Sequence, residues 1–204
     1  MHVLQAYLAG PDVFLPDAAA FSRRKQRLCT KYDFVGLSPI DNEIDISRLS
    51  KRDAAQQISS ANEEMIRKSD LVIANVTPFR GPSADVGTAY EMGFARALQI
   101  PVFAYTTVAG TLLERTRDAL SGFVIERPLS EFEDSDHMLI ENFDCFDNLM
   151  LAGAVWSTGA HVIVRPARKD SKFTDLTAFE ECLKVAAHCM SLRAGALGAH
   201  GGKF

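Results

Sequence analysis

Gly81-Pro82-Ser83-Ala84-Asp85-Val86-Gly87-Thr88-Ala89-Tyr90-Glu91-Met92-Gly93-Phe94-Ala95 is the stretch on which the reading of this chain turns. It follows the apolar run Leu71-Val72-Ile73-Ala74-Asn75-Val76, which has the length and composition of a buried strand. The Pro/Gly segment between them reads as a loop, and Ser83 or Asp85 can cap a helix that starts next. Gly87 removes a side chain from the first turn and lets a ligand approach the backbone. Glu91 then falls near the second turn. A carboxylate there, after a central strand, lies where α/β proteins keep their binding crevice. The positive end of the helix favours its ionised form by about 0.3–1 kcal/mol. Such a group can act as a nucleophile or stabilise a developing cation. Taken alone, the segment equally permits a surface glutamate, with Asp85 no more than a cap.

Outward from this stretch, strands and helices alternate. Val3–Ala9 reads as a buried strand closed by Gly10-Pro11, and Pro16–Thr30 as a helix. Phe34–Leu37 is a short strand stopped at Pro39, Lys51–Lys68 a helix, Asp70–Val76 a strand, Val86–Leu98 a helix and Pro101–Thr106 a strand. Residues 107–134 read as an irregular, solvated surface. Asp136–Gly153 is expected to be helical, His161–Val164 a last strand and Asp175–Leu192 a last helix. This order predicts one doubly wound α/β domain over 1–194, with a parallel sheet covered by helices on both faces. Residues 195–204, rich in Gly and Ala, are expected to form a flexible tail outside it.

The chain has 204 residues, 47% of them hydrophobic and 24% charged, which suits one globular domain with a sizeable core. A net charge of −4 gives no electrostatic reason to expect nucleic acid or a membrane surface as partner. The N-terminal apolar run is too short, and lacks the basic start, for a signal peptide, and no apolar run approaches the ~18 residues of a membrane span. Cys29, Cys145, Cys182 and Cys189 form no C-x-x-C pair, so neither a zinc site nor a dithiol redox site is expected. Free thiols point to a reducing compartment, the cytoplasm. No metal or cofactor is expected.

Two further segments bear on chemistry. Tyr7-Leu8-Ala9-Gly10-Pro11-Asp12-Val13-Phe14 ends the first strand and opens onto the same crevice, with Phe14 placed to wall a flat ring. Neither G-x-G-x-x-G nor G-x-x-x-x-G-K-[ST] occurs, so this is not a phosphate loop. Asp147-Asn148-Leu149-Met150 sets a polar pair before an apolar run. By itself it reads as a helix face with its polar residues in solvent.

The ordered set Tyr7…Ala9-Gly10…Phe14, Asp85-x-Gly87-x-x-x-Glu91-x-Gly93 and Asn148-Leu149-Met150 resembles the nucleoside 2-deoxyribosyltransferase family, over roughly residues 3 to 165. The resemblance implies a flavodoxin-like fold. It implies that Glu91 attacks C1′ of a 2′-deoxynucleoside, expels the base and passes the sugar to a second free nucleobase with retention. Tyr7 would orient Glu91, and Asp85 would bind the 5′-hydroxyl. Asn148 and Met150 would enter a neighbouring subunit's site, making the protein a dimer or larger homo-oligomer. The family's base-contacting Asp lies eight residues before the strand leading to the nucleophile loop; here that position is Asn62. An amide can bond a base edge but cannot act as a carboxylic acid, so Glu63, Glu64, Asp41 or water would supply the proton. Asn42 and Glu43 are the expected second base contact.

Two other functions stay open. A related hydrolase acts on 2′-deoxynucleoside 5′-monophosphates and resembles this chain, but carries Ser six residues before its glutamate. Asp85 would repel a 5′-phosphate by about 4 kcal/mol at ~4 Å and an effective dielectric near ~20. A non-catalytic nucleoside-binding domain would use the same crevice without turnover.

Overall fold

The computed structural model describes residues 3–42 and 44–200, the last seven of these by their backbone alone. The chain folds around β1 (Leu4–Ala9), whose last four residues are buried. A Pro11–Phe14 turn leads to α1 (Ala18–Lys31), β2 (Phe34–Leu37), α2 (Lys51–Lys68), β3 (Leu71–Asn75), α3 (Val86–Ala97) and β4 (Val102–Thr106). Next come α4 (Leu112–Ala119), three short strands β5 (Ile125–Arg127), β6 (Glu131–Glu133) and β7 (Leu139–Ile140), α5 (Leu149–Trp156), β8 (Ile163–Val164) and α6 (Thr177–His200).

The main sheet has the order β2-β1-β3-β4-β8, and every pairing in it is parallel. Ala6 lies opposite Leu71 and Ala9 opposite Ala74, while Val72 lies opposite Val102. Both β3 and β4 are buried along their whole length, as a parallel sheet covered on both faces requires. Helices α1 and α6 pack on one face, and α2, α3 and α5 on the other. The strand order reverses at β1, so the crevice opens at the carboxyl ends of β1 and β3. The doubly wound, flavodoxin-like α/β architecture expected from the sequence is the one observed.

Three stretches differ from expectation. Residues 136–153 do not form one helix: β7 pairs antiparallel with β6, and only Leu149–Trp156 is helical. His137 and Asp144 both adopt left-handed backbone, which a helix excludes, and Asn148 caps the shorter helix instead. Within 107–134, α4 forms behind a capping box, in which Thr111 accepts from the Glu114 amide and Glu114 accepts from the Thr111 amide. Helix α6 continues to His200, so the backbone of 195–200, expected to be a flexible tail, is helical; residues 201–204 lie outside the described residues.

Below the crevice lies a buried charged cluster. Lys25 on α1 is 2% exposed and donates to Asp12 at 2.5 Å, while Asn75 at the end of β3 donates to the same carboxylate at 2.7 Å. The Lys25 ammonium also sits 4.8 Å from the Phe179 ring centroid. Asp12 thereby ties the Gly10-Pro11 turn to both α1 and β3. Gly10 has φ +155, and a Cβ there would stand 2.7 Å from the Asn75 Cβ, so only glycine lets the two strand ends approach this closely. The cysteines are all free thiols. Among the described residues, no helix is long and apolar enough to cross a membrane.

Candidate active site

Tyr7 points from β1 toward the face carrying α3, and its hydroxyl donates to Glu91 Oε1 at 2.5 Å. Among the described residues no donor reaches Glu91 Oε2. Burial pushes the Glu91 carboxyl up to about 7, the Tyr7 bond lowers it in part, and nearby Asp85 raises it further. Burial and the Glu91 charge both push the Tyr7 phenol well above its ordinary range, which keeps it a donor.

Asp85 is the N-cap of α3. Its Oδ2 accepts from the Thr88 amide at 3.0 Å and the Thr88 hydroxyl at 3.3 Å, which satisfies the helix start. Among the described residues nothing bonds Oδ1. A Cβ on Gly87 would stand 3.0 Å from that same Asp85 Oδ2, so Gly87 keeps the first turn clear around the carboxylate.

A cavity of about 400 Å³ opens between α2 and α3. Glu91, Gly87 and Tyr90 line it from α3, and Asn62, Glu63 and Ile58 from α2. Three of the residues singled out in the sequence, Asn62, Gly87 and Glu91, therefore share one space. Asn42 joins them indirectly: its amide donates to Asn62 Oδ1 at 2.9 Å. Glu43 lies outside the described residues. Phe14 is not part of the cavity lining. It stacks on Phe79 with ring centroids 5.3 Å apart, beneath the Arg80 guanidinium, and is 57% exposed. A larger open groove of about 560 Å³ beside Leu49 and Gln57 contains none of these residues.

Asn148 caps α5, accepting from the Met150 amide at 3.0 Å and donating to Glu141 at 2.5 Å. Met150 projects into solvent, as do Trp156 and, in part, Leu149.

Sequence reasoning missed two features. Asp147, read as a solvent-facing residue, is fully buried. It accepts from the Ser83 hydroxyl, from the Ala84 amide at 2.7 Å and from the Asn148 amide at 2.8 Å. Arg115, on α4, stands 3.7 Å from it and donates to Pro82 O at 2.8 Å, to Gly110 O at 2.6 Å and to Phe146 O. Burial lowers the Arg115 pKa, and Asp147 opposes that. Together they fix the loop that delivers Asp85. The missed signal was the Asp-Asn pair itself, a buried acceptor followed by a cap. Of the carboxylates expected as proton sources, Glu63 lines the cavity; its Oε1 accepts from the Tyr90 hydroxyl at 2.5 Å and its Oε2 lies 3.6 Å from Arg67. Glu64 pairs instead with Lys68 at 3.1 Å on the exposed side of α2, and Asp41 is taken up by Gln26 at 2.6 Å and the Ser38 amide at 3.2 Å.

Tyr7 and Glu91 thus stand bonded at the switch point, with Glu91 facing the cavity and Asp85 capping the helix that carries it. Residues 6–150 match the family model described as nucleoside 2-deoxyribosyltransferase. The chain belongs to this family. The matched span contains Tyr7, Asp85, Glu91, Asn148 and Met150. A 2-desoxiribosyltransferase from Leishmania mexicana superposes with a TM-score of 0.60 at 29% identity, covering 85% of this chain and 96% of that one. A conserved protein from Enterococcus faecalis V583 shares the fold at 21% identity and a TM-score of 0.53, covering 91% and 99%. An uncharacterized protein of Schizosaccharomyces pombe is 26% identical over 168 residues, which are 78% of this chain and 80% of the relative. Members of the family bind deoxynucleosides and bases, and membership supports an enzyme of the nucleoside deoxyribosyltransferase kind.

Proposed function

We propose that the protein transfers 2-deoxyribose between nucleobases through a covalent ester on Glu91, with retention at C1′. The observation that carries this is the Tyr7–Glu91 bond: it occupies one carboxylate oxygen, while among the described residues no donor reaches Oε2, and Glu91 lines the cavity. A carboxylate held this way attacks the anomeric carbon as the base departs, and its charge stabilises the oxocarbenium-like transition state. With its pKa near 7, Glu91 is ionised in a large fraction of molecules at neutral pH. A second base then displaces Glu91 from the other side, and two inversions give retention. Asp85 Oδ1 accepts the sugar 5′-hydroxyl. Asn62 bonds the base edge, with Asn42 behind it.

The absence of a 5′-phosphate from the substrate follows from charge. Asp85 repels a phosphate, and the Ser83 hydroxyl that might have bound one is committed to Asp147. Met150 and its exposed apolar neighbours support assembly into a homo-oligomer, in which Asn148 and Met150 complete a neighbouring site. Mixing Glu91→Ala with Asn148→Ala protein then restores activity in mixed oligomers. No restoration, despite demonstrated subunit exchange, argues for a self-contained site.

The direct test incubates the protein with 2′-deoxyinosine and free adenine. Formation of 2′-deoxyadenosine, abolished in a folded Glu91→Ala variant, supports transfer, and a deoxyribosyl adduct in the intact mass supports the ester. Release of deoxyribose from dGMP without any exchange between nucleosides supports the hydrolase instead.

A further inference from the structure

We propose, resting on the transfer reading above, that Asn62 and Glu63 form a two-point reader of the nucleobase. In this reader the base must present an N–H to Glu63 beside a hydrogen-bond acceptor for Asn62. The cavity holding Glu91 is the space a base occupies when its sugar C1′ meets that carboxylate. Its walls suit a flat ring: Ile58 from α2 and the Tyr90 ring from α3 face the same volume of about 400 Å³. The polar groups on the α2 wall are what distinguish one ring from another.

Their donor and acceptor roles are fixed by neighbours. Asn42 Nδ2 donates to Asn62 Oδ1 at 2.9 Å, so the Asn62 amide turns its Nδ2, a donor, to other partners. Glu63 is held in the opposite role. The Tyr90 hydroxyl donates to its Oε1 at 2.5 Å, and the Arg67 guanidinium lies 3.6 Å from Oε2. A carboxylate only accepts. Adjacent positions on one helix thus offer one donor and one charged acceptor. Adenine matches with its 6-amino group on Glu63 and a neighbouring ring nitrogen on Asn62. Unsubstituted purine has the same ring and the same ring nitrogens but no amino group, and it leaves Glu63 facing a C–H. Glu63 is 28% exposed at its side chain, so a missing partner is partly replaced by water. A hydrogen bond to a charged group in that setting is expected to discriminate by roughly 10- to 100-fold.

The experiment measures kcat/KM for consumption of 2′-deoxyadenosine and of the 2′-deoxyriboside of unsubstituted purine, each with excess free hypoxanthine as acceptor, a base different from either leaving group whose N1–H and O6 meet the same two-point requirement. The wild type is expected to favour 2′-deoxyadenosine by about that factor, although purine is the better leaving group. Glu63→Ala removes the preference by slowing 2′-deoxyadenosine alone. Glu63→Gln keeps an amide oxygen and retains part of it. Tyr90→Phe keeps the ring wall, removes one of the two contacts on Glu63 and weakens the preference. Equal wild-type use of the two nucleosides, or a Glu63→Ala variant that slows both alike, overturns the reader while leaving transfer intact. Failure of the folded wild type to consume either purine nucleoside, while thymidine still gives its sugar to hypoxanthine, overturns the reader alone; failure with thymidine as well overturns the transfer reading, and the reader with it.

Discussion

The Tyr7 hydroxyl and Glu91 Oε1 meet at 2.5 Å across 84 positions of sequence, with the central strand supplying the donor and α3 the acceptor. The bond both aims the carboxylate and favours its charged form. Tyr7→Phe is therefore expected to lower kcat by about 10- to 100-fold with little change in KM, because orientation is used at the transition state. It also shifts the acidic limb of the kcat/KM profile to higher pH, since the one group that lowers the Glu91 pKa is gone. A profile that drops uniformly without moving would assign Tyr7 a packing role only.

The pH dependence of Glu91 itself has two consequences of opposite sign. Activity of the free enzyme rises with pH through about 7 as the carboxyl ionises, then levels off. Stability moves the other way. The folded pKa lies above the unfolded value of 4.5, so the folded state holds the proton more tightly. Below 4.5 both states are protonated and nothing changes; between 4.5 and about 7 the fold loses stability, and above 7 the full penalty, on the order of 3 kcal/mol, is present. Glu91→Gln is thus expected to be inactive yet to melt higher than wild type at a pH of about 8, with the gain shrinking toward pH 4.5. Thermal melts across that range check it; a gain independent of pH would remove charge as its origin.

Lys25→Met is expected to destabilise the fold by about 3–5 kcal/mol, because it leaves Asp12 beneath the crevice without its cation. The double variant with Asp12→Asn recovers part of the loss, since Asn75 and an amide can still pair. Denaturant unfolding of the two single variants and the double gives the coupling directly; additive losses would count against a buried pair.

Gly10→Ala strikes the same place without changing charge. The new methyl collides with the Asn75 Cβ at 2.7 Å, so the ends of β1 and β3 are forced apart. A loss of about 1–3 kcal/mol is expected, together with reduced turnover, as Tyr7 shifts with its strand. Unchanged melting and kinetics would show that the turn relaxes freely.

Most of the sheet was legible because buried parallel strands carry long apolar runs, as in Leu71–Asn75 and Val102–Thr106. Glu91 and Asp85 were legible because a capped helix after such a strand has one place to go. Residues 125–140 were not, since three strands of two or three residues leave too little alternation to see. Asp147 was misread for a different reason. Its burial depends on Ser83, Ala84 and Arg115, each more than thirty positions away or on another element, and no local pattern records them. Glu63 and Glu64 were both named but could not be told apart, because two neighbouring glutamates look alike until the packing of α2 on α3 turns one to the cavity and the other to Lys68.

The clasp of Asp147 on Ser83 and Ala84 also sets an order of events during synthesis. Tyr7, Asp85 and Glu91 leave the ribosome while the carboxylate that fixes their loop has yet to be made. A nascent chain can therefore lay down β1, β3 and β4 early, but the loop that leads into Asp85 and α3 is fastened only once translation passes residue 147.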